Sequence, residues 1–97
     1  MEYSKVYYFV EVVSKDKNGK DRYEYYGKNK KCIPVNDDNA AWYVKEYGFD
    51  TAAEAYTELR KISRWYDKNS FKYSGMQIRD TKVKFPSYQE YLRVKAG

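Results

Sequence analysis

The chain opens on a period of two. Between residues 5 and 13, Val6, Tyr8, Val10 and Val12 share one parity, while Lys5, Tyr7, Phe9 and Glu11 share the other. β-branched and aromatic residues at this spacing predict a strand. Asn18-Gly19 follows, a dipeptide suited to the positive φ angles of a type I′ turn, so residues 5–28 read as a β-hairpin. With Asn18 and Gly19 as a two-residue loop, Val12 is expected opposite Tyr25, Ser14 opposite Tyr23, Glu11 opposite Tyr26 and Phe9 opposite Lys28. That register places Tyr23 and Tyr25 with the valines and leaves Tyr7, Phe9, Glu11, Arg22, Glu24, Tyr26 and Lys28 on an open face.

Residues 41–47, Ala-Trp-Tyr-Val-Lys-Glu-Tyr, carry two readings. Their aromatic and β-branched content favours a strand. A short helix, capped by Asp38 or Asn39 and closed by Gly48, is the other. Thr51-Ala52-Ala53-Glu54 is a capping box, and Ala52, Ala55, Tyr56, Leu59, Ile62, Ser63 and Tyr66 recur at helical spacing after it. Acidic residues stand early and basic ones late, which complements the helix dipole over residues 52–67. Residues 76–85 predict a further strand whose parity changes between Ile78 and Thr81, so a bulge near Asp80 is expected. Pro86 ends it, and Ser87-Tyr88-Gln89-Glu90 opens a short helix over 88–94. The whole of residues 1–97 is expected to form one α+β domain: an antiparallel three- to four-stranded sheet packed on one main helix, with a short C-terminal helix.

Composition turns this fold towards binding. Thirteen of the 97 residues are tyrosine, none is histidine, and the formal charge is +5. Tyrosine gives a large contact area at low entropic cost. Without histidine the chain lacks the side chain most used for acid–base work at neutral pH, and no Ser–His or Cys–His pairing can form. One cysteine cannot make an internal disulfide or a zinc site, and Cys32 reads as a small packed residue despite Lys30 and Lys31 beside it. Asp37-Asp38 reads as a solvated turn, and no phosphate-cradling glycine motif is present. The expectation is a protein that is not an enzyme and uses no metal and no cofactor. No apolar run approaches the roughly 20 residues that cross a bilayer, and no secretory signal is expected from residues 1–5, so a cytoplasmic location without membrane contact is anticipated.

Two surfaces are candidates for contact. On the sheet face, Tyr7, Phe9 and Tyr26 would be anchors and Arg22 and Lys28 would steer approach if that face stays open; the equal alternative is that these aromatics pack under the C-terminal segment or a second helix. On the helix, Arg60, Arg64 and Lys68 form a ridge at i, i+4 and i+8, with Trp65 beside it.

Gly48, Phe49, Thr51, Glu54 and Ala55, with the Gly19-Lys20 hairpin upstream, resemble the strand-exit and helix-entry signature of arm-type DNA-binding domains in phage integrases. That resemblance implies a three-stranded sheet followed by a helix, with the sheet entering a DNA groove. The chain departs from it in carrying more Tyr and Glu on the sheet, and in adding a strand and a helix after residue 75. A short, histidine-free chain rich in Lys, Tyr and Asn also resembles, by type, accessory proteins of phages and mobile elements, anti-CRISPR inhibitors among them. This second resemblance implies a non-enzymatic protein that acts stoichiometrically on a nucleic-acid-handling protein complex of a bacterial host. Direct DNA binding by the sheet is the alternative.

Overall fold

The computed structural model describes residues 1–30, 33 and 40–96, with the side chains of 30 and 40–42 not included. Cys32, Lys31, Asp37, Asp38 and Asn39 lie outside the described residues. The elements run β1 (Tyr3–Lys15), β2 (Asp21–Tyr26), a short 3-10 turn (Lys28–Lys30), α1 (Ala40–Tyr47), α2 (Ala52–Lys68), β3 (Gly75–Phe85) and α3 (Tyr88–Ala96). The strands form one antiparallel sheet in the order β2-β1-β3. The fold is therefore α+β, with a main helix and a short C-terminal helix. No helix of the described residues is long and apolar enough to cross a membrane.

The hairpin forms, but one residue away from the predicted register: Val12 stands opposite Glu24, Glu11 opposite Tyr25 and Val10 opposite Tyr26. Asp16 is the cause. Its carboxylate accepts from the backbone N–H groups of Asn18 and Lys20, while Asp16 N–H donates to the Lys20 carbonyl at 2.9 Å. The loop is thus the three residues Lys17, Asn18 and Gly19, with Gly19 alone at positive φ (81°). This is a turn closed by a bulge rather than a two-residue type I′ turn. A shift of one residue turns every β2 side chain over. Tyr23 and Tyr25 join the face of Tyr7, Phe9 and Glu11. Arg22, Glu24 and Tyr26 join the face of Val10 and Val12.

Residues 41–47 are not a strand; they belong to α1. Tyr43, Val44 and Tyr47 fall on one helical stripe, and they pack with Tyr7, Phe9 and Ile33. Burial of that stripe outweighs the strand propensity of its residues. Gly48 closes the helix, its N–H reaching the Val44 carbonyl at 2.7 Å. Phe49 then bridges Tyr8 through two backbone hydrogen bonds of 2.9 and 2.8 Å, which covers the β1 edge beyond the end of β2. Gly27 permits the approach, because a Cβ there would run into the Tyr47 carbonyl.

β3 contains no bulge. Its pairing with β1 is unbroken from Tyr3–Phe85 to Val13–Gly75. The change of parity has another origin: the sheet has two cores, one on each face, at opposite ends. Met76 and Ile78 pack with Val10, Val12, Leu59, Ile62, Tyr66 and Tyr73, on the face beneath α2. Val83 and Phe85 pack on the other face with Tyr7, Phe9, Val44 and Tyr91, beneath α1 and α3. Each half of β3 follows the parity of its own core.

Candidate functional site

The register shift and α1 together redistribute the predicted contact residues. Tyr7 and Phe9 are 5% and 3% exposed, closed over by Ile33, Val44 and the other residues of that core. They are not anchors on an open face. Arg22 and Tyr26 stand on the opposite face, beside α2. Lys28 is exposed in the turn after β2 and lines a cleft with Tyr7. On α2, Arg60, Arg64 and Lys68 are exposed, and the Arg60 guanidinium lies 5.2 Å from the Tyr56 ring centroid.

What the structure assembles is a groove that takes members from both predicted surfaces. It has a volume of about 380 Å³ and lies between β2, from the turn end of the hairpin onward, and the C-terminal end of α2. Arg22, Glu24 and Tyr26 line one wall, and Trp65, Tyr66, Phe71 and Lys72 line the other.

The helix wall follows from how α2 ends. Ser70 takes a left-handed φ of 59°. Its N–H reaches the Asp67 carbonyl at 3.2 Å, and the Phe71 N–H reaches the Tyr66 carbonyl at 2.8 Å. This is a Schellman motif, which brings the residue after the turn against the helix three positions before the cap. The Phe71 and Tyr66 rings lie 5.9 Å apart edge-on, and Phe71 and Trp65 lie 5.3 Å apart. Trp65 also meets Tyr66 at 5.4 Å. Trp65 is held at 39% exposure and Phe71 at 51%, so two large rings face water side by side. Phe71 was not among the expected residues. The signal for it was faint, because the left-handed position carries serine instead of glycine.

The sheet wall is fixed by one carboxylate. Glu24 accepts from the hydroxyls of Tyr26 and Tyr66, the latter at 3.3 Å, and those hydroxyls lie 2.9 Å apart. Its second oxygen meets the Arg22 guanidinium at 3.0 Å. Burial, then hydrogen bonding to Glu24, pushes the Tyr26 pKa up, and burial likewise raises that of Tyr66. Both phenols stay protonated at neutral pH and serve as donors to Glu24. Among the described residues, no cluster of acidic or cysteine side chains is arranged to hold a metal ion. The groove presents rigid aromatic surface with the cations Lys15, Arg22 and Lys72 around it, and Lys15 is itself paired with Asp21. Comparison with protein-family models, curated proteins and solved structures finds no match for this chain.

Proposed function

We propose that this chain is a non-enzymatic binding protein whose contact surface is the groove formed by Trp65, Phe71, Tyr26 and Arg22. The observation that carries this reading is the pair of exposed rings, Trp65 and Phe71, fixed against Tyr66 by the helix-ending turn. Pre-ordered aromatic side chains next to arginine are the usual centres of protein–protein affinity, because little entropy remains to be lost on contact. The partner is a protein surface that offers an apolar plug to the two rings and carboxylates to Arg22 and Lys72. In keeping with the resemblance of type, that partner belongs to a nucleic-acid-handling complex of a bacterial host, and the action is stoichiometric inhibition or modulation, as with anti-CRISPR proteins. The alternative, a sheet that reads DNA directly, loses its expected aromatic face, since Tyr7 and Phe9 are enclosed.

The test is a binding measurement with the identified partner complex. Trp65→Ala and Phe71→Ala should each weaken binding by about 2 kcal/mol or more while the circular dichroism spectrum is unchanged. Inhibition should rise with dose and saturate at a fixed molar ratio. Catalytic turnover, or full affinity in the Trp65→Ala, Phe71→Ala double variant, would sink the reading.

A further inference from the structure

A second cleft lies at the other end of β1, on the opposite face of the sheet. Its volume is about 550 Å³, and Tyr7, Lys28, Lys45, Glu46, Asp50, Val94 and Lys95 line it. These residues come from β1, the turn after β2, α1, the segment that follows α1, and α3, so the cleft exists only in the folded chain.

Its charge is unbalanced. Of the two carboxylates, Asp50 is already engaged: the Lys5 ammonium lies 3.9 Å from it and donates to the Asp50 carbonyl at 3.1 Å. Lys28, Lys45 and Lys95 have no ion-pair partner among the described residues. The Lys45 and Lys95 ammonium groups instead sit near the Phe85 and Tyr91 rings, each 5.9 Å from the centroid. Three lysines therefore line a space where Glu46 is the one carboxylate of the lining that no described cation pairs with.

Tyr7 supplies an independent pointer. The residue is 5% exposed, yet its hydroxyl has no hydrogen-bond partner among the described residues. Among the described residues no fully buried side-chain nitrogen or oxygen lacks a partner, so this hydroxyl retains some exposure, and Tyr7 lines the cleft. A nearly enclosed, unpartnered donor on a residue that lines a lysine-rich cleft marks a position for an acceptor atom. Burial, followed by the Tyr91 phenol and the Asp50 carboxylate nearby, pushes the Tyr7 pKa up to about 12, so the group remains a donor at neutral pH.

We infer that this cleft binds a small phosphomonoester, its phosphate held among Lys28, Lys45 and Lys95 with one oxygen accepting from the Tyr7 hydroxyl. Lysine ammonium groups serve phosphate as point charges, and three of them suit a dianion better than a single carboxylate. The volume lies in the range that takes an organic ligand rather than a bare anion. Glu46 is exposed at the cleft and can accept from a hydroxyl of the organic part.

The experiment uses the full chain, labelled with nitrogen-15, titrated in turn with adenosine monophosphate and with inorganic phosphate. Saturable amide shifts are expected around Tyr7, residues 45–50 and Val94, with the monophosphate binding more tightly. Tyr7→Phe should weaken that binding about three- to tenfold, the effect of one lost hydrogen bond, without lowering the melting temperature, because no protein group is orphaned. Lys45→Gln with Lys95→Gln should weaken it by about tenfold or more. The proposal is overturned by any of three results: no saturable response at millimolar concentration, shifts that cluster at the Trp65 groove instead, or a Tyr7→Phe protein that binds as tightly as the parent. Equal affinities for the two probes would overturn the ester assignment.

Discussion

Tyr26 and Tyr66 converge on Glu24 from two elements 40 residues apart in sequence, and both hydroxyls bear on the same carboxylate. Such a network favours the neutral phenol in the folded state. Tyr7 and Tyr25 are raised as well, chiefly by burial, Tyr25 also by the Glu11 carboxylate next to it. The sign follows directly. A phenol whose pKa is higher folded than unfolded contributes stability that is intact below about pH 10, the unfolded value, and is lost as pH rises through the folded value. Melting temperature should therefore hold up to about pH 10 and fall steeply above it. Tyr26→Phe should soften that fall, at the cost of about 1 kcal/mol at neutral pH for the lost hydrogen bond to Glu24. Thermal melts across the alkaline range, paired with ultraviolet titration of the tyrosinates, measure both. A Tyr26→Phe protein with the parent's alkaline limb would show that the Glu24 network is not what suppresses ionisation.

The ends of α2 show how unequally an element advertises itself. Its start was legible: the Thr51 hydroxyl accepts from the Glu54 N–H at 3.2 Å, as the capping pattern implies, while the Glu54 carboxylate accepts from the Thr51 hydroxyl at 3.1 Å rather than from its backbone N–H. Its end was not, because the left-handed position that folds Phe71 back is Ser70. Glycine there would relieve the strain of a β-carbon at φ 59°. Ser70→Gly should stabilise the domain by about 0.5–1 kcal/mol in urea unfolding and leave partner affinity unchanged. A destabilised variant would mean that the turn is not held as described. The other elements divide in the same way. The hairpin, the strand over 76–85 and the last helix were readable from local pattern. The register was misplaced because Asp16, a side chain, outcompeted the Asn18-Gly19 backbone preference. The α1 helix and the uninterrupted β3 depended on which face each segment would bury, and pairings between distant elements decide that.

At the scale of the whole molecule, β1 is the axis. Its 13 residues run along a body 47 Å in longest dimension, with one core beneath α2 near one end and the other beneath α1 and α3 near the other. The two recesses inherit that diagonal, the aromatic groove on one face and the lysine-lined cleft on the other. Splitting the core this way leaves no broad uncovered sheet face of Tyr7, Phe9 and Tyr26, because the first two are enclosed beneath α1 and the third lies on the face of α2. The consequence is measurable through salt. A DNA-binding surface that neutralises 6–10 phosphates loses about 10³–10⁵-fold in affinity between about 50 and 200 mM salt. Contact through Trp65 and Phe71, with Arg22 and Lys72 as the principal cations, involves about two charge pairs and should lose about tenfold or less over that range. Because the aromatic contact is insensitive to screening, Trp65→Ala should lower affinity equally at both salt concentrations, whereas Arg22→Ala should flatten the salt dependence by weakening binding mainly at the lower one. Binding isotherms for the partner complex at the two concentrations decide between the readings. A loss near a thousandfold for the parent chain would place nucleic acid, not a protein surface, against these cations.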